Sequence, residues 1–291
     1  MDLFITWSND AVGVSQHVAT DGFFQRRTNA TMVVRMPNVP QLARIDAAAV
    51  GVLGHMTASG LPNAVAVTPY VVDGALVVTS TLALIDKAKA LLVEPRVSLS
   101  AGGVSVSGSA TVEVDPTPLY FDRYIRGQEL VKYPPARSLL SVPFHRTLLP
   151  WYVGRVIIRI HPETVTEEPC EDGTTVTAID ATGQLRTRNV LRPTDLNADR
   201  IEIAVPVPDG PAVLLVHEED AAMRDLRQLR RRGTVHDGVL HVSARHGSLA
   251  PSSKSATDEL RLLRALARAA KTNRARLATW PHYEPPKEPT R

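Results

Sequence analysis

Thr79 and Ser80 stand side by side at the end of a run of branched aliphatic residues, and Lys87 follows a short loop later. Hydroxyls donate hydrogen bonds and an ammonium supplies charge, so the group has the chemistry to hold a phosphate, with backbone N–H groups completing the cradle. Lys89 adds a second cation on the same segment, while Asp86 sets a negative charge beside Lys87. On composition alone, a lysine near Ser and Thr describes many solvated surfaces. Arg186 and Arg188 form a second candidate, since alternate residues of a strand share one face and two guanidiniums there would meet a cofactor or an anionic substrate. His236, His241 and His246 recur every five residues, a spacing that alternates faces on a strand, so no metal centre is expected. The single cysteine, Cys170, has no partner for a disulfide or a thiolate metal site. The chain carries no nucleophile elbow, no Walker loop and no dinucleotide Gly-x-Gly-x-x-Gly.

Strands must position these residues. Residues 1–40 show no sustained period and read as an arm, and a short helix is expected over Val39 to Ala49. From Val50 the pattern turns to β: a strand to Met56, a turn through Gly60 and Pro62, then Asn63 to Tyr70, with Val65 and Val67 on one face. Asp73-Gly74 predicts a tight hairpin, because that pair accepts positive φ. Ala75 to Ser80 follows as a strand, and Ile85 to Val93 as a helix closed by Pro95. Arg96 to Ser100 and Val104 to Val114 are further strands, the second long enough to bend at Gly108. Thr117 to Lys132 is expected to be helical, ended by Tyr133-Pro134-Pro135, and Val153 to Ile160 is a strand of β-branched residues. The fold class is mainly β: a split β-barrel with peripheral helices, closed so as to hide its edges.

The phrase then repeats. Val176 to Asp180, a turn at Gly183 and Leu185 to Leu191 echo Met56 to Val67. Asp199-Arg200 and the strand Ile201 to Val205 stand where Asp73-Gly74 and its strand stood. Gly210 to Val216 echoes Glu94 to Ser100, and Arg232-Gly233 echoes Ser107-Gly108. The order predicts two diverged tandem copies, residues 41–168 and 169–250. Between Ile203 and Pro211 there is no room for a loop and a basic helix, so the second copy is expected to lack a phosphate grip. Residues 251–291 hold a basic amphipathic helix, with a capping-box-like start at Ser255 and Leu263, Leu266, Ala267 and Ala270 on one face, then a Pro-rich tail expected to be loose.

The run from Gly60 to Leu99 resembles the pyridoxamine 5′-phosphate oxidase-like family of FMN- and deazaflavin-binding split barrels. The matching residues are Gly60, Pro62, Asp73-Gly74, Thr79-Ser80, Lys87 and Pro95-Arg96-Val97-Ser98-Leu99, with Arg155 to Ile160 as the closing strand. The resemblance implies that Val65, Ala66, Val67 and Thr68 face the flavin ring, and that Ser80 and Lys87 hold the phosphate with Thr79 and Lys89 in support. It also implies a site built across two barrels, so the halves are expected to pair as a pseudo-dimer, or the chain as a homodimer, with Arg186 and Arg188 on the second wall. No catalytic acid or base is required, because such a cofactor carries the hydride.

The chain of 291 residues is 44% hydrophobic and 22% charged, the composition of a folded chain rather than a disordered one, and no stretch approaches the roughly 20 apolar residues that span a bilayer. With no signal-peptide pattern, the cytoplasm is the expected compartment. Two basic clusters, Arg224 to Arg232 and Arg261 to Arg276, lack interleaved aromatics, so nucleic acid is not the expected partner. The leading expectation is an oxidoreductase that uses FMN or a deazaflavin to pass a hydride to or from a small organic substrate. The alternative is a non-catalytic flavin or haem carrier, or a degenerate barrel serving as an interaction module.

Overall fold

The computed structural model describes residues 36–145, 149–169, 173–220, 222–223, 225–251 and 256–285. Most of the expected N-terminal arm, Cys170, Arg224 and the helix start at Ser255 lie outside the described residues. Helix α1 (Val39–Ala47) begins at Asn38, whose side chain accepts from the Gln41 amide while Gln41 accepts from the Asn38 N–H. That reciprocal cap satisfies two donors the helix leaves open.

The first half follows the expected order except that the run expected as one strand, Asn63 to Tyr70, breaks at Thr68 before Pro69 into two strands that end up at opposite edges of the sheet. It contains β1 (Gly51–Met56), β2 (Pro62–Val67), β3 (Pro69–Val72), β4 (Ala75–Thr81), α2 (Asp86–Val93), β5 (Arg96–Ala101), β6 (Val104–Asp115) and β7 (Arg155–Glu167). These strands form one antiparallel sheet in the order β2-β1-β5-β6-β7-β4-β3. Asp73 and Gly74 turn the β3–β4 hairpin at φ of 51° and 78°, the left-handed pair that the sequence called for. Between β6 and β7 lies a helical layer. The helix expected over Thr117 to Lys132 opens with a wide turn, Phe121–Ile125, before α3 (Arg126–Lys132). Pro135 then starts another short helix, α4 (Pro135–Leu140), because proline fits a first turn where no amide donor is needed.

The second half has β8 (Thr174–Ile179), β9 (Leu185–Asn189), β10 (Arg200–Glu202), β11 (Gly210–Glu219), β12 (Leu226–His236) and β13 (Val239–Ser248). Its sheet order is β9-β8-β11-β12-β13-β10, which matches β2-β1-β5-β6-β7-β4 strand for strand. Even the irregularity recurs: β6 and β7 slip register between Ser107 and Gly108, and β12 and β13 slip between Arg232 and Gly233. A Cβ at Gly108 would lie 2.0 Å from the His161 carbonyl oxygen, and one at Gly233 would lie 1.9 Å from that of His241. Each bulge therefore admits glycine only. The copies differ at β10, which stops at Glu202 rather than Val205. Ile203 N–H still donates to the Gly238 carbonyl at 2.9 Å, and the chain then leaves the sheet ahead of Pro206 and Pro208.

The two halves pack face to face through small side chains. Val52 and Ala64 meet Val213 and Leu215. Ser98 Oγ lies 2.6 Å from Thr187 Oγ1, which is 2.8 Å from Thr177 Oγ1. A Cβ on Gly54 would fall 2.4 Å from Ser98 Oγ and 2.6 Å from Thr187 Oγ1, so glycine sets the separation of the sheets here. The other face of the first sheet closes over the main core, where Leu53, Val65, Val67 and Leu99 pack with Ile158. Into that core the C-terminal helix α5 (Ala256–Leu277) sends Leu266, Ala270 and Leu277, while Ala267 faces solvent. Arg261, Arg264, Arg268 and Lys271 are exposed. The tail beyond it is anchored through Tyr283: Val114 N–H donates to the Pro281 carbonyl at 2.8 Å, and Tyr283 N–H donates to the Val114 carbonyl at 3.0 Å. This pairing uses the edge that β6 exposes beyond Ser109, past the start of β5 at Arg96. Among the described residues, no helix is long and apolar enough to cross a membrane.

Candidate functional site

Strand β4 ends at Thr79, Ser80 and Thr81, and the chain turns directly into α2, which carries Lys87 in its first turns. Lys87 Nζ donates to Ser80 Oγ at 2.8 Å, and Ser80 Oγ donates to the Leu84 carbonyl at 2.5 Å. The hydroxyl thus ties the strand end to the helix start. Lys87 is only 7% exposed. Desolvation brings its ammonium down to about 8, the nearby Arg155 charge pushing the same way and Asp86 opposing.

Antiparallel pairing of β4 with β7 sets Arg155 opposite Thr81. The guanidinium of Arg155 is buried and lies over the rings of Phe121 and Tyr152, at 4.7 Å and 4.8 Å from their centres. Glu129, from α3, receives Arg155 Nη2 at 3.1 Å, Tyr152 Oη at 2.7 Å and Tyr70 Oη. Burial and the Glu129 carboxylate hold both tyrosines well above their usual range, so they remain neutral donors.

These groups line a cavity of about 110 Å³. Its first-half wall includes Ala66, Val67, Thr68, Thr79, Ser80 and Lys87. Met223, Leu226 and Gln228 supply the opposite wall from the second half, and Gln228 Oε1 accepts from the Ala66 N–H at 3.1 Å. Most of the residues singled out in the sequence therefore gather in one place. Val65 is turned into the main core, and Lys89 is exposed on α2.

The two arginines expected on the second wall stand elsewhere. Arg186 bonds Asp180 at 2.6 Å and Thr164 at 3.1 Å, and Arg188 bonds Glu168 at 3.0 Å and the Pro206 carbonyl at 3.0 Å. They lie on β9, the edge strand that stacks against β5, and are held by Asp180 of the second half and by Glu168 at the end of the first. The strand that reaches the cavity is β12. Its arginine cluster is structural: Arg232 Nη2 donates to Asn63 Oδ1 at 2.8 Å, and buried Arg231 donates to the Leu196 carbonyl at 2.6 Å.

Whether this donor set suits a flavin nucleotide divides by region. Arg155 Nε, Thr81 Oγ1 and Tyr133 Oη are buried, belong to cavity-lining residues and have no hydrogen-bond partner among the described residues. Buried donors left without acceptors are costly, and with Lys87 and Ser80 alongside they match a compact anion such as a phosphate. The enclosed volume suits that end alone, since cofactor-sized ligands occupy roughly 300–1,000 Å³. A ring system would meet the open side between Thr68 and the Met223, Leu226 and Gln228 wall.

The fold is a split barrel. No family model matches the sequence, and no curated protein does. Solved structures that match include a conserved hypothetical protein from Mycobacterium tuberculosis, at 20% identity and a TM-score of 0.36, covering 49% of this chain and 89% of that one. Another is a putative pyridoxamine 5′-phosphate oxidase from Listeria innocua, at 22% identity and a TM-score of 0.30, covering 43% and 93%. A third is an FAD-binding protein from Mesorhizobium loti, at 23% identity and a TM-score of 0.30, covering 46% and 96%. At TM-scores this low, the cofactor question rests on this chain's own side chains.

Arg155, Glu129, Tyr70, Tyr152 and the Met223, Leu226 and Gln228 wall were not singled out in the sequence. Only Arg155 left a signal there: it is a charge at the head of an otherwise apolar strand, Val156 to Ile158.

Proposed function

We propose that the cavity binds the phosphate of a flavin-type cofactor, FMN or a deazaflavin, and that the chain is an oxidoreductase acting on a small organic substrate. The observation that carries this reading is the grouping of buried Lys87 and Ser80 with Arg155 and Thr81, whose Nε and Oγ1 lack partners among the described residues. Lys87 and Arg155 supply charge, Ser80 and Thr81 supply hydroxyls, and Glu129 with Tyr70 and Tyr152 keeps the Arg155 plane in place. When bound, the flavin would supply hydride transfer. The residues nearest to its ring would be Thr68, Met223, Leu226 and Gln228, which orient it and exclude water.

One observation favours a second reading. The Gln228 side chain already occupies the Ala66 amide, and the enclosed space is small. A ligand smaller than a flavin, such as a simple phosphate ester, fits without displacing the second-half wall; the protein would then be a carrier or sensor rather than an oxidoreductase. The absorption spectrum of the purified protein between about 300 and 600 nm, with FMN and deazaflavin titrations, separates the two. Tight binding that Lys87→Ala abolishes supports the flavin reading. Binding of phosphate esters alone supports the second, and no binding of either overturns both.

A further inference from the structure

A second cavity, far larger than the first at about 590 Å³, lies between the β3–β4 hairpin and the C-terminal segment. Its walls are the β3–β4 hairpin at Asp73, the strand residues Glu113 and Arg159, the helical-layer tyrosines Tyr120 and Tyr124, and the strapped segment at Tyr283 and Glu284. The volume is within the range that cofactors and drug-sized ligands occupy. Nothing in the phosphate site calls for it.

We propose that this cavity is a binding site for an organic amine carried as its ammonium ion. Three observations point to a cation. The cavity is ringed by tyrosines, with Tyr120 and Tyr124 centres 5.0 Å apart and Tyr283 set edge-on to Tyr120 at 5.0 Å and 80°. Such faces attract cations. The protein's own guanidiniums already use them: Arg159 lies 5.3 Å from the Tyr120 centre and Arg123 lies 5.2 Å from that of Tyr124. The carboxylates also outnumber the cations lining the cavity. Glu113 is matched by Arg159 at 3.4 Å, whereas Asp73 and Glu284 form no ion pair among the described residues.

The third observation separates a protonated amine from a quaternary one. Tyr120 is fully buried and its Oη has no hydrogen-bond partner among the described residues. An ammonium with N–H groups has donors for that oxygen and for the carboxylates, which a quaternary nitrogen lacks. Burial pushes the Tyr120 hydroxyl up to about 12, so it meets the ligand as a neutral phenol that can accept a hydrogen bond. The segment carrying Tyr283 and Glu284 is pinned to β6 by two backbone hydrogen bonds and by the α5 helix behind it, so these walls are built into the fold.

The test is calorimetric titration of the full chain with 2-phenylethylamine, and with phenylacetate as a body of similar size and opposite charge. The amine is expected to bind saturably at one site and phenylacetate not to bind over the same range. Tyr120→Phe removes only the orphaned oxygen, and Asp73→Asn keeps a residue that tolerates the left-handed turn. Each is expected to weaken the amine at least five-fold while leaving the melting temperature unchanged, and Lys87→Ala, in the other cavity, is expected to leave it unaltered. Absence of saturable amine binding, equal binding of phenylacetate, or indifference to both Tyr120→Phe and Asp73→Asn would overturn the assignment.

Discussion

Lys87 offers a quantitative test of how dry the proposed phosphate grip is. Its ammonium sits at about 8 in the folded chain against an ordinary value of 10.5, and the side chain is 7% exposed. Below pH 8 both folded and unfolded chains carry the charge, and the folded chain bears the full burial penalty. At 1.36 kcal/mol per unit, that penalty is about 3 kcal/mol at pH 7. Between pH 8 and 10.5 the unfolded chain binds more protons than the folded one, so stability rises with pH and the penalty fades. At pH 9.5 about 1.4 kcal/mol remains, a relief of about 2 kcal/mol. Lys87→Met keeps the length of the side chain and removes the charge. Other groups that titrate in this window are common to both proteins and cancel in the difference. Urea unfolding at pH 7 and at pH 9.5 should therefore show the stability difference, Met variant minus wild type, shrinking by about 2 kcal/mol as the pH rises. Adding inorganic phosphate at pH 7 should stabilise the wild type and not the variant. A difference that stays constant with pH would refute the reasoning, since it would mean that water reaches the Lys87 nitrogen.

Other outcomes follow from the same geometry. Glu129→Gln leaves the buried Arg155 guanidinium without its counter-charge, and chemical denaturation should show a loss of about 3–5 kcal/mol. Gly54→Ala forces the two sheets apart at Ser98 and Thr187 and should lower stability by about 1–3 kcal/mol, read by thermal and urea melts. His55 is held down at about 4, chiefly by burial, from an ordinary value of 6.5. Its folded pKa lies below its unfolded one, so stability is lost as pH falls from 6.5 through 4, by about 3 kcal/mol in all; His55→Gln should flatten that limb of the pH–stability curve. Arg186→Ala removes a part-exposed ion pair remote from the cavity, and titration with FMN should give an unchanged affinity.

Local signals were legible where local rules decide the outcome. Asp73-Gly74 had to be a hairpin because few other pairs accept its φ angles, and the bend expected at Gly108, with its echo at Gly233, is in the structure a β-bulge in each copy where no Cβ fits. The tandem copies were legible because their strand order is preserved, whereas the early stop of β10 at Glu202 was not, because Ile203 to Val205 are as apolar as a strand. The meeting of Ser80 and Lys87 was also readable, since both lie on one strand–helix turn. The remaining site residues meet through pairings made far along the chain. Arg155 reaches the cavity only because β7 pairs with β4, and Gln228 only because the second sheet folds back onto β2. Arg186 and Arg188 were chosen from their equivalence to β2. That equivalence holds, yet face-to-face packing of the halves brings β12 to the cavity and leaves β9 at the edge of its sheet.

The most direct measurement of the central claim compares FMN with riboflavin, which lacks only the phosphate, by calorimetric titration of the wild-type chain at pH 7. If the Lys87, Ser80, Thr81 and Arg155 cluster is a phosphate grip, FMN binds at one site and riboflavin is weaker by at least a hundred-fold, a gap of about 2.7 kcal/mol that Lys87→Met largely closes. Equal affinity for the two, or no binding of FMN, would contradict the account.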